Sequence, residues 1–357
     1  MNTAEIRQKT IADALLAWYD QNARILPWRD NPVPYHVWVS EIMLQQTQVQ
    51  TVLPYFERFI LALPSIEALA LAEESKILKL WEGLGYYNRV RNMQRTARLL
   101  MEQYDGRLPA DYALLVKLPG IGAYTAGAIA SIAYNKTAAA IDGNVLRVFS
   151  RITGSREDIG KISAKREFQT LALELQPRRR PGDFNQALME LGAKVCVPKA
   201  EPFCAVCPVA TFCVAYRDQI TGEIPVKAVG RKRTMEMKTV LIIRAKEMVL
   251  LRKRAEEGLL AGLWEPFTIE GFTTEEGITE IIEELGLEPL ALHRLEQAKH
   301  QFTHKEWQLQ GFLIEVKMAS PPKGLIWAGH EEITDEITVP SAFKAYKKYL
   351  PRGITVK

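Results

Sequence analysis

All four cysteines of this 357-residue chain lie in one short segment, between residues 196 and 213. Their spacing is Cys196-x7-Cys204-x2-Cys207-x5-Cys213. A disulfide framework would distribute cysteines along a secreted chain, and a structural zinc site usually pairs two short Cys-x-x-Cys motifs across a longer spacer. Four thiolates in one loop suit a compact iron–sulfur cluster better. The spacing therefore favours a [4Fe-4S] cluster bound by these four cysteines, with zinc and four unrelated buried thiols as alternatives.

The apolar pattern changes along the chain. Up to about residue 216 apolar residues recur at the three- and four-residue spacing of helices. After about residue 239 short apolar runs predict strands, and 274–285 predicts an acidic helix between them. We therefore predict a multidomain protein, an all-α region followed by an α/β domain. The junction 227–238 contains five basic residues and one acidic residue. We interpret it as a linker, either solvated or lying along a polyanion.

The net charge is small: the chain has 46 Lys and Arg residues and 42 Asp and Glu residues, which gives a formal charge of +4. This balance excludes a strongly basic, tail-like binding protein. The charge is nevertheless uneven, since 1–226 has 26 basic and 23 acidic residues whereas 239–357 has 15 and 18. The N-terminus lacks the apolar run of a signal peptide, and no uncharged stretch reaches the roughly 20 residues that a membrane span needs. We expect a cytoplasmic protein without membrane association.

The segment Leu118-Pro-Gly-Ile-Gly-Ala-Tyr-Thr-Ala126 lies between two helical patterns. Gly120 and Gly122 permit a tight turn whose backbone N–H groups point outward at the start of the next helix, an arrangement that binds phosphate without a lysine. An ordinary helix–helix turn has the same glycine spacing. On this motif alone, both interpretations stay open.

Two acidic residues stand in apolar surroundings. Asp142 follows an apolar run, and it could cap a helix that starts at Val145, act in catalysis, or do both. Glu41 is flanked by valine, isoleucine, methionine and leucine. A carboxyl group desolvated there would have a raised pKa and could donate a proton near neutral pH. Alternatively, Ser40 starts a helix and Glu41, in its first turn, only interacts with the helix dipole.

These motifs, in this order, resemble the endonuclease III superfamily of base-excision DNA glycosylases. There, Leu-Pro-Gly-[Val/Ile]-Gly-x-x-Thr-Ala forms a helix-hairpin-helix, [Val/Ile]-Asp-x-Asn-Val carries the catalytic aspartate, and a cysteine loop holds the cluster. The first cysteine spacer is one residue longer here. Bifunctional members carry a Schiff-base-forming lysine two residues after the second hairpin glycine. Tyr124 occupies that position, which implies a monofunctional glycosylase that leaves an abasic site.

Further motifs narrow the resemblance to the MutY family of adenine DNA glycosylases. They are Leu26-Pro-Trp-Arg29, Ser40-Glu-Ile-Met-Leu-Gln-Gln-Thr47 and Trp81-Glu-Gly-Leu-Gly-Tyr-Tyr87. The resemblance implies that Glu41 protonates N7 of an extruded adenine and that Asp142 stabilises the oxocarbenium ion.

The same resemblance implies further catalytic and DNA-contacting residues. They are Tyr124, in contact with Asp142 or the sugar; Arg24, Trp28 and Gln186 in the base pocket, with Arg29 as another substrate contact; Tyr86, as a wedge in the vacated base stack; and Gln46 and Asn144. For Gln46 and Asn144, local backbone hydrogen bonding is an equally good interpretation.

Residues 239–357 resemble the Nudix-like C-terminal domain with which this family senses 8-oxoguanine opposite adenine. Gln301-Phe-Thr-His-Lys-Glu-Trp307 matches the family's Phe-Ser-His loop. Phe302, Thr303 and His304 are therefore expected to read the lesion, with Thr303 in place of the usual serine. The Nudix box lacks its arginine and its upstream glutamate. Because a pyrophosphohydrolase needs such carboxylates for magnesium, we interpret the box as a remnant of the fold.

The resemblance covers nearly the whole chain and implies its organisation. The expected parts are a helical catalytic region at 1–226, a basic linker at 227–238 and the Nudix-like domain at 239–357. Within the catalytic region, a six-helix barrel at about 30–135 contains the helix-hairpin-helix at 114–132, and a cluster domain is formed by 1–29 plus 136–216.

The expected function is the removal of adenine from A:8-oxoG or A:G mispairs in duplex DNA. The protein is expected to act as a monomer, associated with the nucleoid through DNA binding. One alternative is an endonuclease III-like glycosylase and lyase, against which Tyr124 and the extra domain argue. The other is a non-catalytic iron–sulfur DNA-binding protein, against which the presence of both Glu41 and Asp142 argues.

Overall fold

The computed structural model describes residues 3–198, 201–228 and 232–351. Residues 229–231 of the predicted linker, and 199 and 200 in the first cysteine spacer, lie outside the described residues. In the described part, no helix is long and apolar enough to cross a membrane.

The first part of the chain is helical. Its helices are α1 (Thr3–Asn22), α2 (Pro27–Asp30), α3 (Pro34–Leu44), α4 (Val49–Ala62), α5 (Ile66–Leu71), α6 (Glu74–Leu80), α7 (Asn88–Gln103), α8 (Tyr112–Leu115), α9 (Ala123–Ala128), α10 (Gly143–Thr153), α11 (Ile162–Leu175), α12 (Pro181–Lys194) and α13 (Val214–Arg217).

The last part of the chain forms a mixed sheet with short helices. Its elements are β1 (Thr234–Ala245), β2 (Met248–Lys253), β3 (Trp264–Glu270), α14 (Glu275–Glu284), β4 (Pro289–Arg294), β5 (Ala298–Gln301), β6 (Lys305–Val316), β7 (Leu325–Ala328), α15 (His330–Asp335) and a 3-10 segment at Ser341–Tyr349. The strand order is β4-β6-β1-β3-β2-β7, and β5 pairs with β6. Only β1 and β6 run parallel among the pairs of this described sheet. The predicted change from an all-α region to an α/β domain is confirmed.

The chain divides into two compact units. One comprises the described residues of 1–71 and 89–229, and the other those of 72–88 and 230–357. Residues 72–88, which the sequence places in the six-helix barrel, are therefore grouped with the sheet unit. Within that unit, Lys79 Nζ on α6 donates to the backbone oxygens of Ile333 at 2.7 Å and Ile337 at 3.0 Å. Glu82 accepts hydrogen bonds from Lys79 and Lys347.

Glycines let backbone segments of the helical unit pack closely around α12. A Cβ atom on Gly182 would lie 2.7 Å from Ser131 O, and one on Gly192 would lie 2.6 Å from Asn144 Cβ. Similarly, a Cβ on Gly127 would lie 2.0 Å from Ala139 O. Since such distances are shorter than real Cβ contacts, only glycine allows α12 to approach α10 and the helical turn after α9 this closely. This packing brings the side chains of α12 to the site described below.

Helix α3 is buried along most of its length. Its residues from Val37 to Met43 are all buried, including the polar Ser40 and Glu41. Pro34 occupies the first turn, where its fixed φ favours helix initiation and its missing N–H group costs no hydrogen bond. A helix that is apolar on nearly all sides must be surrounded by other elements, and here it places a carboxyl group inside the unit.

Strand β1 is buried on both faces of its sheet. Val240 and Ile242 pack into one apolar cluster, and Leu241 and Ile243 into another. The first cluster includes the 3-10 segment, and the second includes α14. Burial on both faces explains why β1 appears in the sequence as a continuous apolar run.

Strand β1 begins inside the predicted linker. It starts at Thr234, so the last five linker residues, 234–238, belong to the sheet rather than to a tether. Lys238 is 5% exposed, and its ammonium group donates to Glu270 Oε1 at 2.5 Å. Arg233, just before the strand, donates from Nε to Phe302 O at 3.0 Å. Two of the five basic residues of the junction thus have partners inside the sheet unit.

Candidate active site

A cavity of about 1340 Å³ lies in the helical unit. Ten of the predicted site residues line it: Arg24, Trp28, Arg29, Glu41, Gln46, Gly122, Tyr124, Asp142, Asn144 and Gln186. They come from the 24–29 segment, the end of α3, the start of α9, the start of α10 and one face of α12. The structure therefore brings together residues that are up to 162 positions apart in the sequence.

Glu41 lies in the second half of α3, not in its first turn. The helix begins at Pro34, so the expectation that Ser40 starts it and that Glu41 interacts with its N-terminal dipole is wrong. Glu41 is 6% exposed. Burial raises the pKa of this carboxyl group to about 7, assisted by the charge of Asp142, while the hydrogen bond from Tyr124 and the charge of Arg29 lower it. Glu41 can therefore hold a proton near neutral pH.

The Tyr124 hydroxyl donates to Glu41 Oε2 at 2.5 Å. The resemblance implies a contact with Asp142 or the sugar; of the two carboxyl groups at this cavity, the hydroxyl bonds to Glu41 rather than to Asp142. Tyr124 is the second residue of α9, which starts immediately after Gly122. The hydroxyl also lies 3.5 Å from Met189 Sδ on α12. The helix of the hairpin therefore fixes the orientation of the Glu41 carboxyl group.

The chain leaves α3 through a strained backbone conformation. Gln46 has a φ of 59°, in the left-handed region that non-glycine residues rarely adopt. Arg89 Nη1 donates to the oxygens of Ile42 at 2.6 Å and Gln45 at 2.7 Å, and so satisfies carbonyl groups at the end of the helix. Because this turn directs Gln46 to the cavity wall, its strain accompanies a candidate substrate contact.

Asp142 caps α10, and its carboxyl group lines the same cavity as Glu41. Val145 N donates to Oδ1 at 2.8 Å, and Asn144 Nδ2 donates to Oδ2 at 2.7 Å. Burial raises the pKa of Asp142, whereas these donors and the charge of Arg147 lower it. The helix starts at Gly143, two residues before the expected Val145. The capping interpretation is confirmed, and it leaves the carboxylate oxygens at the cavity.

Asn144 connects Asp142 to the cysteine loop. Its side-chain oxygen accepts from Arg147 Nη2 at 2.8 Å, and Arg147 Nε donates to Cys196 O at 2.7 Å. Arg147 is 7% exposed. The sequence did not identify Arg147 as a site residue, although its position three residues after Asn144 on one helix face places the two side chains together.

Arg24 and Arg29 converge on Glu190, which the sequence also failed to identify. Arg24 donates from Nε to Glu190 Oε1 at 2.6 Å and from Nη2 to Oε2 at 2.9 Å. Arg29 Nη2 donates to Oε2 at 2.9 Å. Glu190 is fully buried. The one available signal was its position four residues after Gln186, on the same face of α12.

The predicted hairpin lies between α8 and α9. Gly120 has a φ of 75°, and a Cβ atom there would lie 2.7 Å from Asn92 Cβ, so this position requires glycine. Gly122 has ordinary backbone angles, and a Cβ atom there would meet nothing within 4 Å. Gly122 is the N-cap of α9, so the first N–H groups of that helix follow it directly. These groups have no partner inside the helix, which is the property that an anion site needs.

The four cysteine thiols surround one small apolar cavity. All four are free of disulfide bonds. Burial raises the pKa of Cys207 to about 12, and the charges of Cys196, Cys213 and Cys204 act in the same direction. Arg151 Nη1 donates to Cys196 Sγ at 3.2 Å. Across the described residues, no group of three or more His, Cys, Asp or Glu side chains could hold a single metal ion. A [4Fe-4S] cluster differs, because each of its four irons takes one thiolate.

The remaining predicted residues lie in the sheet unit. Phe302, Thr303 and His304 form the tip of the hairpin between β5 and β6. The Phe302 ring packs edge-on against Trp307, with centroids 4.8 Å apart. Tyr86 lies in the segment between α6 and α7, with a φ of 50° and 48% exposure. Its hydroxyl lies 3.1 Å from Thr303 Oγ1, so the predicted wedge and the predicted lesion reader are in contact.

Comparisons with known proteins match two separate parts of the chain. Residues 39–173 match the HhH-GPD superfamily of base excision DNA repair proteins, and residues 239–349 match the NUDIX domain. The chain is 34% identical to the adenine DNA glycosylase of Mus musculus, over 94% of this chain and 77% of that protein. It is 36% identical to the adenine DNA glycosylase of Buchnera aphidicola subsp. Baizongia pistaciae (strain Bp), over 81% and 82% respectively.

Solved structures share the helical fold. A thermostable thymine-DNA glycosylase superposes with a TM-score of 0.55 at 27% identity, over 61% of this chain and 100% of that chain. A trapped endonuclease III–DNA covalent intermediate gives 0.51 at 21% identity, over 62% and 99%.

We expect Glu41→Gln to stabilise the protein more at pH 8 than at pH 5. The pKa of Glu41 is raised from 4.5 to about 7. The stability that its proton contributes is therefore complete at acidic pH and is lost as the pH rises through about 7, when the folded state must bury a carboxylate. At about 1.4 kcal/mol per pKa unit, the gain at pH 8 should be roughly 3 kcal/mol. Thermal unfolding of the variant and the wild type between pH 5 and 8 measures this difference in stability.

Glu57→Gln is the matched control, because it removes the charge of an exposed glutamate on α4. It should produce no such pH-dependent difference. A stability difference between Glu41→Gln and the wild type that stays constant from pH 5 to 8 would contradict the raised pKa.

Proposed function

This chain belongs to the adenine DNA glycosylase family, and from that membership we propose that it hydrolyses the N-glycosidic bond of adenine paired with 8-oxoguanine or guanine in duplex DNA. The family and fold expectations from the sequence are confirmed. The observation that carries the proposal is the placement of a buried, protonatable Glu41 and a capped Asp142 on one cavity.

Glu41 supplies the proton for the leaving base. An adenine extruded from the duplex would enter the cavity, and its N7 is the basic atom whose protonation makes the base a better leaving group. The raised pKa of Glu41 leaves the proton on the carboxyl group near neutral pH and still allows its transfer. Tyr124 holds the carboxyl group in one orientation through its hydrogen bond.

Asp142 supplies the anion for the sugar. As the bond to adenine breaks, positive charge develops on the deoxyribose, and a fixed carboxylate beside it lowers the energy of that state. The N–H groups of Val145 and Asn144 fix the Asp142 carboxyl group and oppose the rise in its pKa that burial causes. Water then adds to the sugar and completes the hydrolysis, which leaves an abasic site.

Tyr124 also favours hydrolysis over strand cleavage. A lyase needs an amine that attacks C1′ and forms a Schiff base. The side chain at this position is a phenol whose pKa is raised far above its ordinary value by burial and by Glu41. It therefore offers no nucleophile, and we propose that the protein is monofunctional.

Recognition of the opposite base is proposed for the sheet unit. The hydroxyl of Thr303 and the ring of Phe302 stand at an exposed hairpin tip, where they could contact an oxidised guanine. The backbone N–H groups at the start of α9 would bind a DNA phosphate, with Gly120 and Gly122 forming the turn. Duplex DNA is therefore the proposed partner, and we propose that the protein binds it as a monomer.

The four cysteines fit a [4Fe-4S] cluster. Four free thiols around one apolar cavity, with a guanidinium hydrogen bond to one sulfur, are the donor set and surroundings that such a cluster uses. When bound, the cluster would cross-link the loop at Cys196, Cys204, Cys207 and Cys213. Because Arg147 joins the Cys196 backbone to Asn144, the position of this loop also affects Asp142.

With duplex DNA that contains adenine opposite 8-oxoguanine, we expect adenine release and an abasic site that breaks only in alkali. Glu41→Gln should slow single-turnover release by about 10²–10⁴-fold, since it removes the proton donor. Asp142→Asn should slow it by at least about 10²-fold, since it removes the anion. Release of adenine, strand breakage and DNA binding are measured separately.

The exposed control Glu57→Gln should keep the wild-type rate. Absence of adenine release by the wild type would overturn the proposed function. Strand breakage without alkali would contradict a monofunctional enzyme while leaving adenine as the substrate.

Thr303→Ala should reduce the preference for 8-oxoguanine over guanine opposite adenine by roughly tenfold, the value of one lost hydrogen bond. Thr303→Ser keeps the hydroxyl and should keep the preference. Single-turnover rates on the two mispairs give the ratio. An equal loss of rate on both substrates would show that Thr303 does not read the oxidised base.

Freshly purified protein should absorb near roughly 400 nm and contain about four iron atoms per chain. Cys207→Ser should lose both the absorbance and the iron, because it removes one of the four ligands and the sequence has no fifth cysteine to replace it. Metal analysis and absorbance are the measurements. Stoichiometric zinc without iron would contradict the cluster.

A further inference from the structure

Glu190 is a fully buried carboxylate with two arginine partners and no assigned function. Its oxygens accept three hydrogen bonds from the guanidinium groups of Arg24 and Arg29. Arg24 N adds a fourth, at 3.3 Å. A buried ion triad of this kind is weak evidence for stability, because desolvation offsets much of the attraction. Its position beside a cavity that contains Glu41 indicates a role in the site.

Three contacts determine where the Arg29 guanidinium lies. Besides Glu190, it donates to Arg24 O at 3.1 Å and lies 5.6 Å from the centre of the Tyr19 ring. Of these, only Glu190 neutralises its charge. The cation is therefore held in its own ion pair at the cavity wall.

The titratable groups that line the cavity and act on Glu41 through charge or a hydrogen bond come from three elements. They are Tyr124 from α9, Asp142 from the start of α10 and Arg29 from α2. Arg29 is the only cation among them. A cation that paired directly with Glu41 would stabilise the carboxylate and remove the proton that catalysis needs.

We propose that Glu190 is a positioning residue that sequesters Arg29, so that this cation lines the base pocket without pairing with the proton donor Glu41. Arg24 shares the carboxylate and fixes its orientation by a two-atom contact. Glu190 thus acts on the reaction through Arg29 and touches no reacting atom. The catalytic consequence rests on the proposed function, whereas the electrostatic one does not.

Glu190→Gln in the full-length protein with its cluster is the test. Release of Arg29 should move the alkaline limb of single-turnover adenine release to lower pH by about one unit, so that the rate falls about tenfold at pH 8 and little at pH 6. DNA affinity should not change. The titration of the Glu41 carboxyl group, followed by carbon-13 NMR without DNA and assigned with Glu41→Gln, should shift by the same amount.

Further variants separate sequestration from packing. Glu190→Asp keeps the charge and should return the limb toward its wild-type position. Glu190→Gln with Arg29→Met removes the released cation and should restore the Glu41 titration. Arg24→Met leaves the Arg29 pair intact and should not move the limb to lower pH. If Glu190→Gln does not fold, Glu190→Gln with Arg24→Met leaves one unpaired cation fewer and provides the same test.

The Glu41 titration and the pH dependence of the rate distinguish sequestration of Arg29 from a packing role of Glu190. An unchanged Glu41 titration in the folded variant, or a rate loss that is equal at all pH values, would overturn the proposal and leave Glu190 with a packing role. A shifted titration in a protein whose wild type releases no adenine would support sequestration and overturn the proposed function alone.

Discussion

A carboxyl group that leaves water loses the solvation of its ionised form, and the helical unit imposes this loss on Glu41. The apolar residues around it on α3 are the cause, because they require the helix to be surrounded on nearly all sides. Asp142 adds to the effect, while Tyr124 and Arg29 oppose it. The resulting pKa near neutrality is a balance among four side chains. The site therefore depends on how accurately the surrounding helices hold the other three.

Helix α12 provides much of that accuracy. It carries Gln186 at the cavity wall, Met189 against Tyr124 and Glu190 beneath the two arginines. The helix lies this close to α10 because Gly182 and Gly192 have no Cβ atoms to obstruct it. On the other side of the cavity, Asp142 is joined through hydrogen bonds to the cysteine loop. Groups fixed in this way need little rearrangement during the reaction, which is the basis of electrostatic catalysis.

The sequence predicts those features that depend on local pattern. The helical and sheet regions, the Asp142 cap and the acidic helix α14 all follow from periodicity and capping residues within a few positions. The observed start of α3 is also predictable from sequence, because Pro34 favours the first turn of a helix. Ser40, a residue type that commonly caps helices, points instead to a later start. Contacts between residues far apart in the chain cannot be predicted from such local patterns. Glu190 meets Arg24 and Arg29 across 166 and 161 residues, and Tyr124 meets Glu41 across 83.

The basic junction illustrates why charge in a sequence is a poor measure of charge available to a partner. Its five cations suit a tether that is either solvated or lies along a polyanion, but Lys238 is buried in an ion pair with Glu270, and Arg233 holds the Phe302 carbonyl group. Thr234 N, next to Arg233, donates to His304 O at 3.0 Å. The junction therefore holds both sides of the hairpin tip that carries Thr303. A tip fixed before it meets DNA loses less conformational entropy on binding, so these residues favour discrimination between bases more than general affinity for phosphate.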